Sequence, residues 1–575
     1  MSQLRILKGA TQLAEIATLL NFKPSGLSYL LYVATDESKY ISFEIPKKSG
    51  GMRLISAPSP KLKRLQSNLS KLLLNCLDEL RNSGQYRDSM SHGFQRNRNI
   101  LSNAKKHRAQ RYVFNLDIAD FFGSINFGRV RGFFIKDERF RLDPKIATII
   151  AQIACRNGSL PQGSPCSPII SNLIGHILDI RLVGLAAKNG CRYSRYADDL
   201  TFSTNKKQFP LDIAILDATS HQWNIGNGLN EILQANRFNA NPSKTRMQYS
   251  DSRQEVTGLV VNRKLNVRSE YRKLVRAMVH RLFLTGQFSL NGGAIAATSA
   301  GAFSTQTPGT LDQLHGMLGF IDGVDQHNIQ EHNLRTEDLS QKEKTYRKFL
   351  LYKDFYLADK PILLCEGKTD NVYLKHAIRR LARHPLLGEK VGVDSFKYKI
   401  RLYKYAETTT GRILGLSGGT GEFPKFIQSY ISGVKQFPAL GLQHPILLIL
   451  DNDSGANSVC GYLGTNLKRR ISRQEDFIWI GDNLYLILTP TIAPRVESTI
   501  EDFFEPQLKQ VEIDGKRFDP SDKADTTISY GKSIFASRVV EKFSEEINFE
   551  GFSPLLCRIE LALQHFYDSK SDTQS

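Results

Sequence analysis

Four short runs of β-branched, aromatic and aliphatic residues in this chain stop on a carboxylate: YVFNLD at 112–117, RYSRYADD at 192–199, PILLCE at 361–366 and PILLILD at 445–451. Runs of that length and composition read as strands. A strand that ends on an acid places its charge at one end of a sheet. Asp198 and Asp199 are adjacent, between two strand-like segments within 192–204. Neighbouring carboxylates at a hairpin tip repel each other unless a cation compensates them. The last two runs are continuously apolar before the acid, the pattern of buried parallel strands in an α/β domain. The chain is therefore expected to be multidomain, with α+β and α/β parts and acids at a sheet end in each. Its 575 residues allow two to four domains.

Hydrophobic residues make up 41% and charged residues 23%, the balance of a globular protein rather than a disordered or fibrous one. No apolar run approaches the length of a membrane span, so no membrane partner is expected. The opening MSQLRILKGATQLAEIATLL lacks the apolar core and cleavage site of a secretory signal. Seven scattered cysteines without a CxxC pair predict a reducing, cytoplasmic location and neither disulfides nor a zinc finger. The net charge of +20 is unevenly spread: residues 1–300 carry about +22 and the remainder is near balance. A basic half offers Lys and Arg to a polyanion, and nucleic acid is the expected partner.

Along the chain, residues 45–55 predict a hairpin turning at Ser-Gly-Gly, and 60–74 a helix with a basic outer face. VTGLVV at 256–261 predicts a strand, and 268–286 a basic helix closed by Gly286. Residues 288–310, rich in Gly, Ala, Ser and Thr, predict a loop, and the last eight, DSKSDTQS, a disordered tail. If the 192–204 hairpin lies beside the strand at 112–117, Asp117, Asp198 and Asp199 converge into an oxygen site suited to Mg²⁺. The Asp-Asp pair taken alone reads first as a solvated acidic turn.

Three segments, NLDIADFF at 115–122, LPQGSPCSP at 160–168 and RYADD at 195–199, together resemble the palm motifs of reverse transcriptases. The resemblance implies a right-hand polymerase, with fingers and palm to about residue 262 and a thumb over about 263–325. It makes Asp117, Asp198 and Asp199 the catalytic metal ligands and Phe122 the bulky residue under the incoming sugar, favouring deoxynucleotides. Gln162 and Gly163 would line the nucleotide pocket, and Lys47 and Arg53 would hold the triphosphate. Lys244 is a weaker candidate for donating a proton to pyrophosphate. NAKKH at 103–107 and VTG at 256–258 further resemble the NAxxH and VTG signatures of retron reverse transcriptases. That family makes a 2′,5′-branched RNA–DNA molecule, msDNA, from its own structured non-coding RNA. The resemblance makes Asn103, His107, Val256, Thr257 and Gly258 candidates for holding RNA. The helix at 268–286 would track a duplex by its phosphates.

In the second half, PILLCEGKTD at 361–370 and ILLILDND at 446–453 set Glu366, Asp370, Asp451 and Asp453 at the ends of two strands, where α/β sheets place their chemistry. Two ordinary turns with solvated acids would read the same way. The order EGxxD then DxD resembles the Toprim domain, a Rossmann-like α/β fold. It implies a second Mg²⁺ site on these four acids, with Glu366 also catalytic. Glu497 and Glu501 are weak candidates for an outer acid. The glycine-rich loop at 416–421 reads either as a phosphate cradle or as a tight turn.

The expected organisation is a polymerase over 1–325, a connector over 326–357, a Toprim domain over 358–510 and a C-terminal extension over 511–575. Such a chain would be a retron-type polymerase fused to a Toprim nuclease effector in antiviral defence. Its partners would be its own RNA, the RNA–DNA product, dNTPs and a nucleic-acid target, with homo-oligomerisation possible. The alternatives are a defence or mobile-element reverse transcriptase without 2′,5′ priming, and a nucleic-acid-binding scaffold with a silent second domain.

Overall fold

The computed structural model describes residues 2–46, 51–86, 90–290, 307–332, 338–392, 395–405, 407–492, 494–521, 525 and 527–574. They divide into two units, Met1–Ser269 with Gly323–Leu334, and Glu270–Asp322 with Arg335–Ser575.

In the first unit the expected hairpin forms from β1 (Tyr40–Pro46) and β2 (Met52–Pro58), paired antiparallel from Tyr40–Pro58 to Pro46–Met52. Lys47 lies outside the described residues. Pro60 opens helix α1 (Pro60–Asn82), where its missing N–H costs nothing. Leu62, Leu65, Leu69, Leu72, Leu73 and Leu77 make its buried stripe. A short helix, α2 (Ile100–Lys105), is capped by Asn99, which accepts hydrogen bonds from the N–H groups of Leu101 and Ser102.

The palm sheet has the order β4-β5-β3-β6, built from β3 (Tyr112–Asp117), β4 (Arg192–Tyr196), β5 (Asp199–Thr204) and β6 (Arg246–Tyr249), each neighbouring pair antiparallel. Strand β3 is central, and Val113, Phe114 and Leu116 are buried. Between β3 and β4 runs α3 (Ser167–Lys188), whose mean hydropathy of 1.5 would suit a membrane span; here most of it is buried as a core helix. The segment expected as one strand at 256–261 is instead a tight hairpin, β7 (Glu255–Val256) and β8 (Leu259–Val260). Its two turn residues, Thr257 and Gly258, both have positive φ, at 47° and 80°. That is the turn whose twist matches paired strands.

The basic helix is present as α4 (Ser269–Thr285), followed by Gly286 at φ 74°. It buries Val275, Met278, Val279 and Leu282 and exposes Lys273, Arg276, His280 and Arg281. All of it but Ser269 falls in the second unit, and α5 (Leu311–His332) is divided between the two. Residues 291–306 of the expected loop lie outside the described residues.

The second unit is organised around a five-stranded sheet of order β10-β9-β11-β13-β12. Its strands are β9 (Ile362–Cys365), β10 (Arg401–Leu402), β11 (Ile446–Leu450), β12 (Ile478–Gly481) and β13 (Leu484–Leu488). All neighbours are parallel except the edge strand β12. The three central strands are buried along their whole length, which is why they read as continuous apolar runs. Helix α6 (Asp370–Leu381) follows β9, α7 (Phe423–Val434) precedes β11 and α8 (Ala456–Leu467) follows it.

Two expectations about the C-terminus are corrected. The final helix, α9 (Ser553–Gln574), includes residues 568–574 of the stretch expected to be disordered, and Ser575 lies outside the described residues. Residues beyond 511 are no appendage, because Phe535, Leu555, Leu556 and Ile559 share one core with Leu363, Leu447 and Ile487. Ile559→Ala should therefore destabilise the second unit by about 2–5 kcal/mol, read as a lowered thermal or urea midpoint. A loss under about 0.5 kcal/mol would place α9 outside the core.

Candidate functional site

Register brings the palm acids together. Asp117 ends β3 directly opposite Asp199, which begins β5, so their side chains share one face of the sheet. Asp198 occupies the turn, and its carbonyl accepts a hydrogen bond from the Ile118 N–H at 2.9 Å, tying the turn to the end of β3. Lys244 Nζ lies 2.7 Å from Asp117 Oδ2, and Asn241 Nδ2 donates to Asp117 Oδ1 at 3.4 Å. Burial and then the charge of Asp117 raise the Asp198 carboxyl. Asp199 is pushed up to about 6, first by the low-polarity wall behind it and then by Asp198 and Asp117. The hydrogen bond to Asp117 raises the Lys244 ammonium.

Around these acids, Phe122 is half-buried, with its ring 5.5 Å from that of buried Phe121. Gly163 has a φ of 116°, and a Cβ there would stand 2.8 Å from the Ser56 carbonyl oxygen, so only glycine fits. The close approach is to strand β2. The Gln162 carbonyl accepts from the Ser56 N–H at 2.8 Å, joining the two segments. Arg53 is exposed on β2. A cavity of about 320 Å³ opens beside Asp199, lined by Thr201, Lys244, Arg246, Thr257 and Gly258 among others.

The structure corrects the expectation that Asn103, His107 and Val256 touch RNA. His107 is fully buried, with Nδ1 2.7 Å from Ser203 Oγ and Nε2 2.7 Å from Ser194 Oγ. Ser194 Oγ donates to Asn103 Oδ1 at 2.7 Å. Burial, then Lys106 and Arg192, lower His107 to about 3, so it is a neutral clamp between α2 and the palm strands. Val256 is buried as well. Thr257 and Gly258 remain at the cavity, and Thr257 Oγ1 donates to the Ile100 carbonyl of α2 at 3.3 Å.

In the second unit, β9 and β11 are adjacent and parallel, so Glu366 and Asp451 emerge at the same sheet end. Tyr405 donates to the carbonyls of Cys365 and Glu366, at 2.7 Å each, and fixes the exit of β9. Asp370 Oδ2 accepts from the Gly367 N–H, Asp451 Oδ1 from the Ile500 N–H, and Asp453 Oδ1 from the Gly455 N–H, each at 2.8 Å. Burial raises Glu366, Asp370 to about 7 and Asp451 to about 8; Asp453 adds to the first, Glu501 to the second, and Asp370 and Glu501 to the third.

Glu501, a weak candidate by sequence, is buried among these acids and pairs with Lys532 at 3.1 Å. Nothing in the sequence around Lys532 marked it. Glu497 is exposed and stands outside the cluster of buried acids. The glycine-rich loop reaches the cluster: the Thr420 backbone hydrogen-bonds Glu366, and a Cβ on Gly455 would lie 2.6 Å from Thr420 Oγ1.

Both donor sets are carboxylate oxygens, the chemistry of a hard divalent cation such as Mg²⁺. Glu366 Oε2 and Glu501 Oε1 are buried without a protein hydrogen-bond partner, which suits a cation there. Among the described residues no three His, Cys, Asp or Glu side chains already stand in position to hold one ion. The Lys244 and Lys532 ammonium groups lie against an acid of each site.

Comparison with known proteins adds family evidence. The reverse transcriptase (RNA-dependent DNA polymerase) family matches residues 45–274. The retron Mx65 reverse transcriptase of Myxococcus xanthus is 34% identical over 257 residues, which are 42% of this chain and 56% of that protein. The retron Ec86 reverse transcriptase of Escherichia coli is 31% identical over 326 residues, 56% of this chain and 87% of that protein. The chain thus spans just over half the length of the first relative and most of the second. A Candida albicans telomerase structure aligns at 10% identity with a TM-score of 0.30, covering 55% of this chain and 60% of that one.

The raised carboxyls set a pH dependence. A folded-state carboxyl raised above its unfolded value holds its proton more tightly when folded, so this contribution to stability falls as pH rises through the folded value. For Asp370 and Asp451 that window opens at the ordinary carboxyl value of 3.8 and closes at about 7 and about 8 respectively. Any Mg²⁺ held by these two acids would have to displace those protons. Its thermal stabilisation of the second unit should be small at pH 5.5 and grow at pH 8.5, with affinity rising at least tenfold. A pH-independent Mg²⁺ affinity would remove Asp370 and Asp451 from the ligand set.

Proposed function

We propose, for a chain that belongs to the retron reverse transcriptases, that its first unit is an RNA-directed DNA polymerase making branched msDNA from the chain's own structured RNA. We further propose that its second unit is a Toprim-type nuclease, the effector in antiviral defence. The carrying observation is the cross-strand placement of Asp117 against Asp199, with Asp198 in a turn anchored to β3. It is supported by 31% identity along a match that spans 87% of the Escherichia coli relative.

In this reading the three palm aspartates hold Mg²⁺, which when bound neutralises pyrophosphate charge and activates the priming hydroxyl. Lys244 leaves Asp117 and faces the departing pyrophosphate, where an ammonium offsets negative charge. Arg53 holds triphosphate oxygens from the β1–β2 hairpin. Phe122 stands against C2′ of the incoming sugar and excludes a ribose hydroxyl. Thr257 and Gly258 present the RNA beside Asp199, in a cavity whose Lys244 and Arg246 suit phosphate and whose hydroxyls suit a sugar.

In the second unit Glu366, Asp370, Asp451 and Asp453 hold Mg²⁺, with Glu501 beside them and Lys532 balancing the excess charge. Glu366, with its raised carboxyl, is suited to take a proton from attacking water. The RNA–DNA product restrains this effector in the cytoplasm until infection disturbs it.

Two experiments test these roles. Asp198→Asn with Asp199→Asn should lower deoxynucleotide incorporation by at least about 10²–10³-fold while the protein still retains its RNA. In parallel, Glu366→Ala should leave product DNA at wild-type level and abolish nucleic-acid cleavage and phage protection. Loss of DNA synthesis in a folded Glu366→Ala protein would break the two-site reading. Separately, Phe122→Ala should raise ribonucleotide over deoxynucleotide incorporation by about tenfold or more, measured with matched rNTP and dNTP. An unchanged ratio in an active enzyme would return Phe122 to a packing role.

A further inference from the structure

The turn that carries Asp198 and Asp199 is held in an unfavourable backbone conformation. Ala197, immediately before them, has a φ of 57°, a region that residues with a Cβ seldom adopt. Its carbonyl oxygen accepts a hydrogen bond at 3.0 Å from Arg195 Nη1. That guanidinium is completely buried. Nε and Nη2 of Arg195 meet the two oxygens of Asp179 on α3, each at 2.8 Å, and Nη1 also reaches Asn172 Oδ1 at 3.3 Å. Tyr193 donates to the same Asp179 at 2.8 Å.

The surroundings are shaped for this arrangement. A Cβ on Gly175 of α3 would lie 2.9 Å from Arg195 Nη2, and a Cβ on Gly93 would lie 2.7 Å from the Ala197 nitrogen. Glycine at both positions lets the helix close on the guanidinium and the neighbouring loop close on the turn. The Arg195 backbone is pinned on both sides, donating to the Met90 carbonyl at 3.0 Å and accepting from the His92 N–H at 2.7 Å. The guanidinium also lies 5.8 Å from the centroid of the Phe121 ring, which packs against Phe122.

A buried ion pair is seldom more stabilising than apolar residues of the same volume. Its presence two residues from the strained position therefore calls for a reason other than stability. Only a guanidinium can grip a carboxylate with two N–H groups and spend a third on a neighbouring carbonyl; a lysine ammonium lacks that planar fork.

We propose that Arg195, locked by Asp179, is the positioning residue of the polymerase site: it holds Ala197 in its left-handed conformation and so aims Asp198 and Asp199 at Asp117. The role rests on the polymerase reading above. It acts through the turn, and Arg195 touches neither substrate nor metal.

The test compares wild type, Arg195→Lys, and the double variant Arg195→Met/Asp179→Leu, which removes the pair without leaving an orphan charge. The full chain is assayed for dTTP incorporation on poly(rA)–oligo(dT), with amide exchange of residues 196–199 followed in parallel. The double variant should keep a cooperative thermal transition, exchange faster across 196–199, and lose at least tenfold in kcat with less than a threefold change in KM for dTTP. Adding Ala197→Gly should recover at least threefold in kcat, because glycine adopts the left-handed conformation unaided. If the double variant does not fold, Arg195→Lys, with and without Ala197→Gly, should show the same kcat loss and recovery. Wild-type kcat and exchange in a folded double variant, or no recovery with glycine, would overturn the positioning role while leaving the polymerase reading intact. A wild-type chain that adds no dTTP would overturn both.

Discussion

Carboxylates crowded at the end of a sheet repel one another and resist burial, and each unit must answer that constraint before it can do chemistry. In the palm, antiparallel register forces Asp117 and Asp199 opposite each other, with Asp198 beside them. In the second unit, parallel pairing brings Glu366 and Asp451 out side by side, with Asp370 and Glu501 buried next to them. The consequence is the same in both places: carboxyls rise above their ordinary range, and an ammonium, Lys244 or Lys532, is drawn against one acid. Neither cluster is explained by stability, since an apolar sheet end would cost less. Acids kept together at that cost, with raised carboxyls, are the physical mark of a functional site.

Much of this was legible in the sequence, for a definite reason. Strand periodicity and apolar continuity are local, so β3, the β4–β5 hairpin, β9 and β11 can be found from short windows, and their terminal acids come with them. What was illegible depends on partners remote in sequence. His107 meets Ser194 and Ser203, 87 and 96 residues away. Lys532 reaches Glu501 from 31 residues further on. The end of the chain was misread because its polar residues resemble a tail, whereas the helix they extend is anchored by buried Leu555, Leu556 and Ile559.

The correction at Asn103 and His107 changes what a short signature means. A pair of polar residues in a basic region reads as a ligand for RNA, since both side chains carry hydrogen-bonding groups. Here those groups are spent inside the protein. Asn103 and His107 clamp α2 to β4 and β5 through Ser194 and Ser203, and the opposite end of α2 receives the Thr257 hydroxyl at the Ile100 carbonyl. The Ala109 N–H also donates to the Val261 carbonyl at 2.9 Å. The two signatures, separate in sequence, thus form one structural device: a buried clamp, a short helix and a hairpin whose tip reaches the cavity beside Asp199.

That arrangement divides labour in a way composition cannot reveal. The excess positive charge of the first 300 residues suits phosphate, yet a decisive cation in the palm, Arg195, is entirely enclosed and never meets solvent. Exposed Lys and Arg act at a distance, weakened by salt and tolerant of exchange with one another. A buried guanidinium acts through fixed bonds to Asp179, Asn172 and the Ala197 carbonyl, where geometry matters more than charge. Counting charges therefore points to the partner class, whereas the set of the Asp198–Asp199 turn depends on one charge that the count cannot distinguish from the rest.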